Sequence, residues 1–257
     1  MRFAPVIDAL ALPVNARVDQ RVPKKLLLEQ GAPTTADKRQ IQEGIDELWW
    51  IAALKPNLIG VPAFRDEVRE YLEIAVLTVR LRPAAKTARL VELIHRAIPY
   101  PLVLVTGHGE TVSLSLAHLR GSQGETGKVV IEDLRRTAPF RPDAPTNEET
   151  AFLDSLTLSG LPRRDLWALY QGWLDRVVAL EAARMTGQFI LPDSAERSQA
   201  LREGLGHHAR LERELAALRV RAAKEKQIGR RVELNLEIKR LESDVAKLLC
   251  QLQKPAL

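Results

Sequence analysis

Three carboxylates on predicted strands, Glu73, Glu132 and Asp133, are the side chains here whose chemistry could cut a phosphodiester. Two or three such acids holding Mg²⁺ and orienting water make a metal-dependent nuclease, often with a Lys two residues past one acid. Glu73 is followed by Ile74 and Ala75, so the acid-x-Lys arrangement is missing on that strand. The plainer reading has the acids exposed, or paired with Arg135 or Arg136, and it is preferred. His95, His108 and His118 are the histidines of the same region. His108 and His118 fall at opposite ends of one predicted strand, about 33 Å apart if fully extended. His95 is expected to hydrogen-bond at a helix end and His118 to bind backbone. His207 and His208 are adjacent on a predicted helix and point about 100° apart, so they do not chelate together. Glu203 with His207, or His208 with Glu212, has i, i+4 spacing but lacks a third ligand.

The sequence contains no Gly-Lys-Ser phosphate loop, no Gly-x-Gly-x-x-Gly and no Gly-x-Ser-x-Gly. The stretch from Gly121 to Gly127 resembles a phosphate loop in glycine content alone, because it precedes a strand and not a helix. Cys250 is the single cysteine and reads as a small buried hydrophobe near the end of a helix face. No catalytic residue, metal or cofactor is therefore expected.

Charge is more informative than catalytic motif. The net charge is +5, and residues 196–257 carry all of it, with 14 basic against 9 acidic side chains. Arg219, Arg221, Lys224, Lys226, Arg230 and Arg231 stand against Glu225 alone between positions 219 and 231. Around a helix they make a positive collar suited to phosphate. A solvated helix exterior is the competing reading. Leu234, Ile238, Leu241, Val245, Leu248 and Leu252 follow at spacings of four and three, a narrow seam that requires a partner helix. Leu211, Leu215, Leu218 and Ala222 form a matching stretch before it. The partner is either that stretch folded back at Gly229 or a helix of another chain.

The elements that would position these residues read as follows. Residues 1–33 are an extended arm with Pro5, Pro13 and Pro23. A helix with Thr35 as N-cap runs to about Lys55, its stripe formed by Ile41, Ile45, Leu48 and Ala52. Trp49 and Trp50 cannot share a face. Strands follow over 70–81, 101–106, 111–117 and 128–134, with a crossover helix over Thr87–Ile98 and a turn at Gly107–Glu110. At least one of Val103 and Leu104 should be fully buried. Residues 137–146 form a Pro-rich linker, and 147–194 are helical, with Leu166, Tyr170, Trp173, Val177 and Leu180 on one buried face. The last segment, 195–257, is a basic coiled-coil-like arm. The fold class is α+β: residues 34–136 form a mixed sheet covered by helices, and the helical arm comes last. Nothing approaches 18 uninterrupted apolar residues, so no membrane span is expected. A cytoplasmic location fits the single cysteine.

Four stretches carry a resemblance to a known bacterial family, the domain of unknown function numbered forty-three ninety-one. They are Val22-Pro23-Lys24-Lys25; Thr35-Ala36-Asp37-Lys38 running to Trp50; Leu93 to Pro101 with its hairpin through Leu116-Ala117-His118; and Lys224-Glu225-Lys226-Gln227 with Glu233-Leu234-Asn235. The Ile98-Pro99-Tyr100-Pro101 sequence is the most specific. The resemblance implies a setting beside DNA methyltransferases and helicases in restriction and phage-defence loci, and no reaction. The expected function is a non-enzymatic accessory or scaffold subunit, with a helicase or methyltransferase as partner and nucleic acid as a second ligand. A metal-dependent nuclease and a coiled-coil homodimeric regulator are the alternatives.

Overall fold

The computed structural model describes residues 3–121 and 129–253. Its contacts divide the chain into two compact units, Met1–Val177 and Val178–Leu257.

In the first unit the prolines begin helices where an extended arm was expected. Pro5 sits in the first turn of α1 (Ala4–Ala9), and Pro23 caps α2 (Lys24–Gln30), with the edge strand β1 (Arg17–Arg21) between them. Proline's fixed φ and missing N–H suit a helix start, where that N–H would have no partner. Val6, Leu10 and Leu27 are fully buried, so this arm is part of the folded body.

α3 (Thr35–Gly44) begins as predicted, although Thr34 is the N-cap, its hydroxyl accepting from the Asp37 amide. The expected helix then stops ten residues early. Ile45–Leu54 is the strand β2. Two bulges, at Ile45/Glu47 and Trp50/Ala52, shift its register against the next strand. Each bulge adds a residue and flips the face of everything after it. Ile45, Leu48, Trp50 and Ala53 therefore share one face, and the first two are three apart, the spacing of a helical stripe, while Ala52 takes the other face. Trp50 packs edge-on against Tyr100 while Trp49 is partly exposed, so the two do take different faces.

After α4 (Pro56–Ile59) come a two-residue ribbon, β3 (Phe64–Arg65) with β4 (Glu70–Tyr71), and then β5 (Ile74–Leu81). α5 (Thr87–Ala97) crosses over to β6 (Leu102–His108), which runs parallel to β5. β7 (Thr111–Gly121) returns through a turn in which Gly109 holds φ +58°, a left-handed conformation that suits glycine. β8 (Val129–Arg136) completes the order β1-β2-β5-β6-β7-β8. The predicted glycine-rich loop lies largely outside the described residues.

α2, α3 and α5 cover one face of this mixed sheet over Leu77, Val79, Leu102 and Leu104. Val103 and Leu104 are both fully buried, as the apolar run required. Residues 137–146 do not behave as a free linker. The Thr137 amide bonds the Leu114 carbonyl, and Phe140 pairs with Val112. α6 (Asn147–Ser155) starts at a capping box made by Thr146 and Glu149. α7 (Leu166–Thr186) buries Leu166, Tyr170, Trp173, Val177 and Leu180 as predicted, and crosses the division between the units. Its Tyr170 hydroxyl reaches the sheet, accepting from the Ala117 amide and donating to the Leu102 carbonyl.

The second unit is dominated by two long helices, α8 (Ala195–Lys224) and α9 (Ile228–Gln253), joined at residues 225–227. A turn this short makes them an antiparallel hairpin. Arg219 of α8 reaches Glu242 of α9 at 2.8 Å. At the open end a Cβ on Gly204 would lie 2.7 Å from Leu252, so glycine permits the close approach there. Among the described residues no helix is long and apolar enough to cross a membrane.

Candidate functional sites

The three strand acids do not assemble. Glu73 lies in the gap between β4 and β5, where its carboxylate is 3.5 Å from Lys55. Glu132 and Asp133 are on β8, three strands from β5 in the sheet order. Two acids sharing Mg²⁺ must come within about 4 Å of each other, given oxygen ligands at ~2.1 Å. Glu132 instead accepts from Arg69 Nε and Nη2 at 3.1 and 2.8 Å, and Asp133 accepts from Arg135 at 2.9 Å. No group of three or more His, Cys, Asp or Glu able to hold a metal ion occurs among the described residues.

A histidine approaches these acids, because His118 is the register partner of Asp133 across β7 and β8. His118 bonds side chains and not backbone. Its Nδ1 meets the Tyr71 hydroxyl, and Nε2 lies 2.8 Å from Gln171 Oε1. Gln171 Nε2 in turn donates to Asp175 Oδ1 at 2.8 Å. An amide oxygen can only accept, so Nε2 carries the proton and Nδ1 accepts from Tyr71. The Tyr71 oxygen also takes the Leu119 amide proton. A single directed chain of donors thus runs from β7 through the β3–β4 ribbon to α7.

Aromatic rings close the Tyr71–His118 part of this chain off from water. Trp167 stacks on His118 at 5.9 Å and 21°, with Tyr170 edge-on at 5.5 Å. Burial holds the His118 imidazole neutral below its ordinary range and pushes the Tyr71 phenol up. The network joins three elements in the neutral state, and a substrate would need His118 uncovered to reach it. The parity of His118 with Leu114 and Leu116 was the sequence signal that it faces inward. Its partners lie 47 and 53 residues away in the chain and gave no signal.

The other histidines disperse. His95 is fully buried on α5 with Nε2 3.0 Å from Ser115 Oγ, so it bonds a side chain across the core and not a helix end. Burial pushes its pKa down to about 3. His108 lies between Thr87 and the Pro83 carbonyl. On α8, His208 is 4.0 Å from Glu212, and Glu203 accepts from Gln199.

The hairpin keeps its charge free. Arg219, Arg221, Lys224, Lys226, Arg230 and Arg231 are all exposed, and they surround the turn as a cationic tip. Arg219 is paired with Glu242. The other five side chains make no hydrogen bond or ion pair with any described residue. Glu225, the one acid of the stretch, is taken by the Gln227 amide. Clustered exposed cations of this kind raise the local positive potential, which favours an anion.

The seam has found its partner within the chain. Leu211, Leu215, Leu218 and Ala222 of α8 are buried, and Val245 of α9 is 8 % exposed. Leu234, Ile238, Leu241, Leu248 and Leu252 are half-buried. These residues thus first serve the fold of the hairpin. Cys250 is exposed, contrary to its expected burial, because it lies off the seam on α9.

The first unit is a mixed-sheet α+β body and the second a basic helical hairpin. The chain belongs to the family described as Domain of unknown function (DUF4391), which matches it over residues 10–245. No match is found among curated proteins or among solved structures.

Proposed function

We propose that this chain is a non-enzymatic accessory or scaffold subunit of a bacterial DNA-targeting assembly of the restriction or phage-defence kind. Its C-terminal helices bind a partner protein and contact nucleic acid. The observation that carries this reading is the hairpin tip, where five exposed cations make no ion pair with any described residue and Glu225 is the one acid among them. Such a cluster offers phosphate salt-sensitive contacts without base recognition. The setting rests on the family resemblance, which implies neighbours that are DNA methyltransferases and helicases, and we take one of these as the partner. Pairing of arms between two copies through the seam is less favoured, since α8 already covers Val245 and half-covers its neighbours.

Capture of the intact chain from its native host, with and without nuclease treatment, tests the reading. A helicase or methyltransferase retained after nuclease treatment supports direct protein contact. Loss of every companion in both arms contradicts a scaffold role.

A further inference from the structure

α9 has a second stripe on the side away from its seam. Val232, Leu236, Lys239, Ser243, Ala246 and Cys250 recur at spacings of four and three. At about 100° per residue they fall roughly opposite Leu234, Ile238 and Leu241. Ile228 extends the stripe toward the turn. These side chains are exposed: Ile228 by 73 %, Val232 by 52 % and Leu236 by 57 %. A branched apolar side chain left in water every turn is a cost that a surface helix normally avoids.

The charges nearest the stripe are mostly basic. Lys239 interrupts it, and Arg240 and Lys247 flank it, all three exposed. Lys247 is shared with Asp244, which with Glu233 lies at the margin of this sector; Glu242 is held by Arg219 on the other side. Within the stripe itself no acid occurs. A second copy of the same face would set Lys239 and Arg240 against their equivalents, so self-pairing is opposed. A DNA backbone would satisfy the cations and leave Val232 and Leu236 in water.

From this complementarity we infer that the outer face of α9 docks an acidic amphipathic helix of a partner protein. The docked helix lies along α9, its apolar residues on Ile228, Val232 and Leu236 and its carboxylates on Lys239, Arg240 and Lys247. This is helix recognition through anchors at i, i+3 or i+4, and i+7. The small residues Ser243, Ala246 and Cys250 let the two backbones approach toward the far end. The inference rests on the partner-binding part of the reading above and supplies the partner's chemistry.

The test uses the full chain and a panel of labelled helical peptides of about 21 residues, three heptads long. One set has leucines on one face and glutamates beside them, one replaces the glutamates with lysines, and one scrambles the apolar positions. The acidic set should bind, and binding should weaken about tenfold or more in Val232→Ser/Leu236→Ser and in Lys239→Glu/Arg240→Glu chains. Bound peptide should slow maleimide modification of Cys250. The lysine and scrambled sets should not bind. Absence of binding by the acidic set, or equal binding by wild type and both variants, overturns the inference. So does a doubled mass of the free chain that Val232→Ser/Leu236→Ser abolishes, because the face would then belong to a second copy. If the Val232→Ser/Leu236→Ser chain still captures its companion from the host as well as wild type does, the docking face is wrong while the scaffold reading stands. If wild type captures nothing, the scaffold reading fails by itself.

Discussion

The body and the hairpin spend their apolar residues differently. Strands β5, β6 and β7 are buried almost throughout, including Thr78, Thr106, Ser113 and Ser115, because helices cover the sheet. The hairpin buries one narrow stripe per helix and leaves Val220, Ile228, Val232 and Leu236 in water. The body exposes its large apolar groups singly, Val14 by 89 % and Leu72 by 45 % among them, whereas Ile228, Val232 and Leu236 of α9 fall on one face at spacings of four. Scattered apolar side chains are ordinary on a surface, and a continuous exposed stripe beside unpaired cations is the feature a ligand would cover.

The contrast should break first in the body's core. Leu104→Ala in β6 removes a side chain with no exposure, and should cost about 2–5 kcal/mol in urea unfolding. A cost below about 1 kcal/mol would mean that this strand is not the packed centre. Leu241→Arg with Leu248→Arg acts on the hairpin instead. Full burial of a leucine is worth roughly 1.5–3 kcal/mol, and these two are half-buried, so each loses less than that before the cost of placing a charge. All four tryptophans, Trp49, Trp50, Trp167 and Trp173, lie in the first unit. The double variant should therefore lose helical circular dichroism while tryptophan emission is unchanged. Loss of both signals together would merge the two regions into one cooperative unit.

Acid sharpens the comparison. His95 is held neutral in the folded body, with its pKa pushed down to about 3, and takes up a proton near 6.5 once unfolded. The unfolded state then binds more protons below that point. Stability is fully present above about pH 6.5 and falls as pH drops toward 3, on the order of 1 kcal/mol per pH unit. His118, lowered in the same direction by burial, adds to the slope. His95→Gln should flatten the acid limb of the body's unfolding curve while keeping a bond to Ser115. An unchanged limb would show that His95 does not titrate on unfolding. Asp37, which Arg89 and Thr34 hold down to about 2, loses its contribution only at still lower pH, between about 3.8 and 2.

How far the sequence disclosed this arrangement depends on how local each signal was. The β5–α5–β6–β7 unit was legible because its periods are uninterrupted and its turn has glycines at Gly107 and Gly109. β2 was hidden by two bulges, which gave Ile45 and Leu48 a helical spacing. The N-terminal elements were hidden by their brevity, since α1 spans six residues and leaves no period to read. The hairpin's charge and seam were legible at once, being properties of one helix at a time. The His118 network was not, because Tyr71, Gln171 and Trp167 come to it from distant segments.

The central claim is that the hairpin tip, and not the body, meets nucleic acid. Binding of labelled duplex DNA to the full chain should be followed from low to moderate salt, for wild type and for a chain in which Arg221, Lys224, Lys226, Arg230 and Arg231 are replaced by Gln. Five phosphate contacts predict a slope of log K against log salt of about −4 to −5, falling toward zero in the variant. A steep slope that the five replacements leave unchanged would place the phosphate contacts elsewhere and contradict the account.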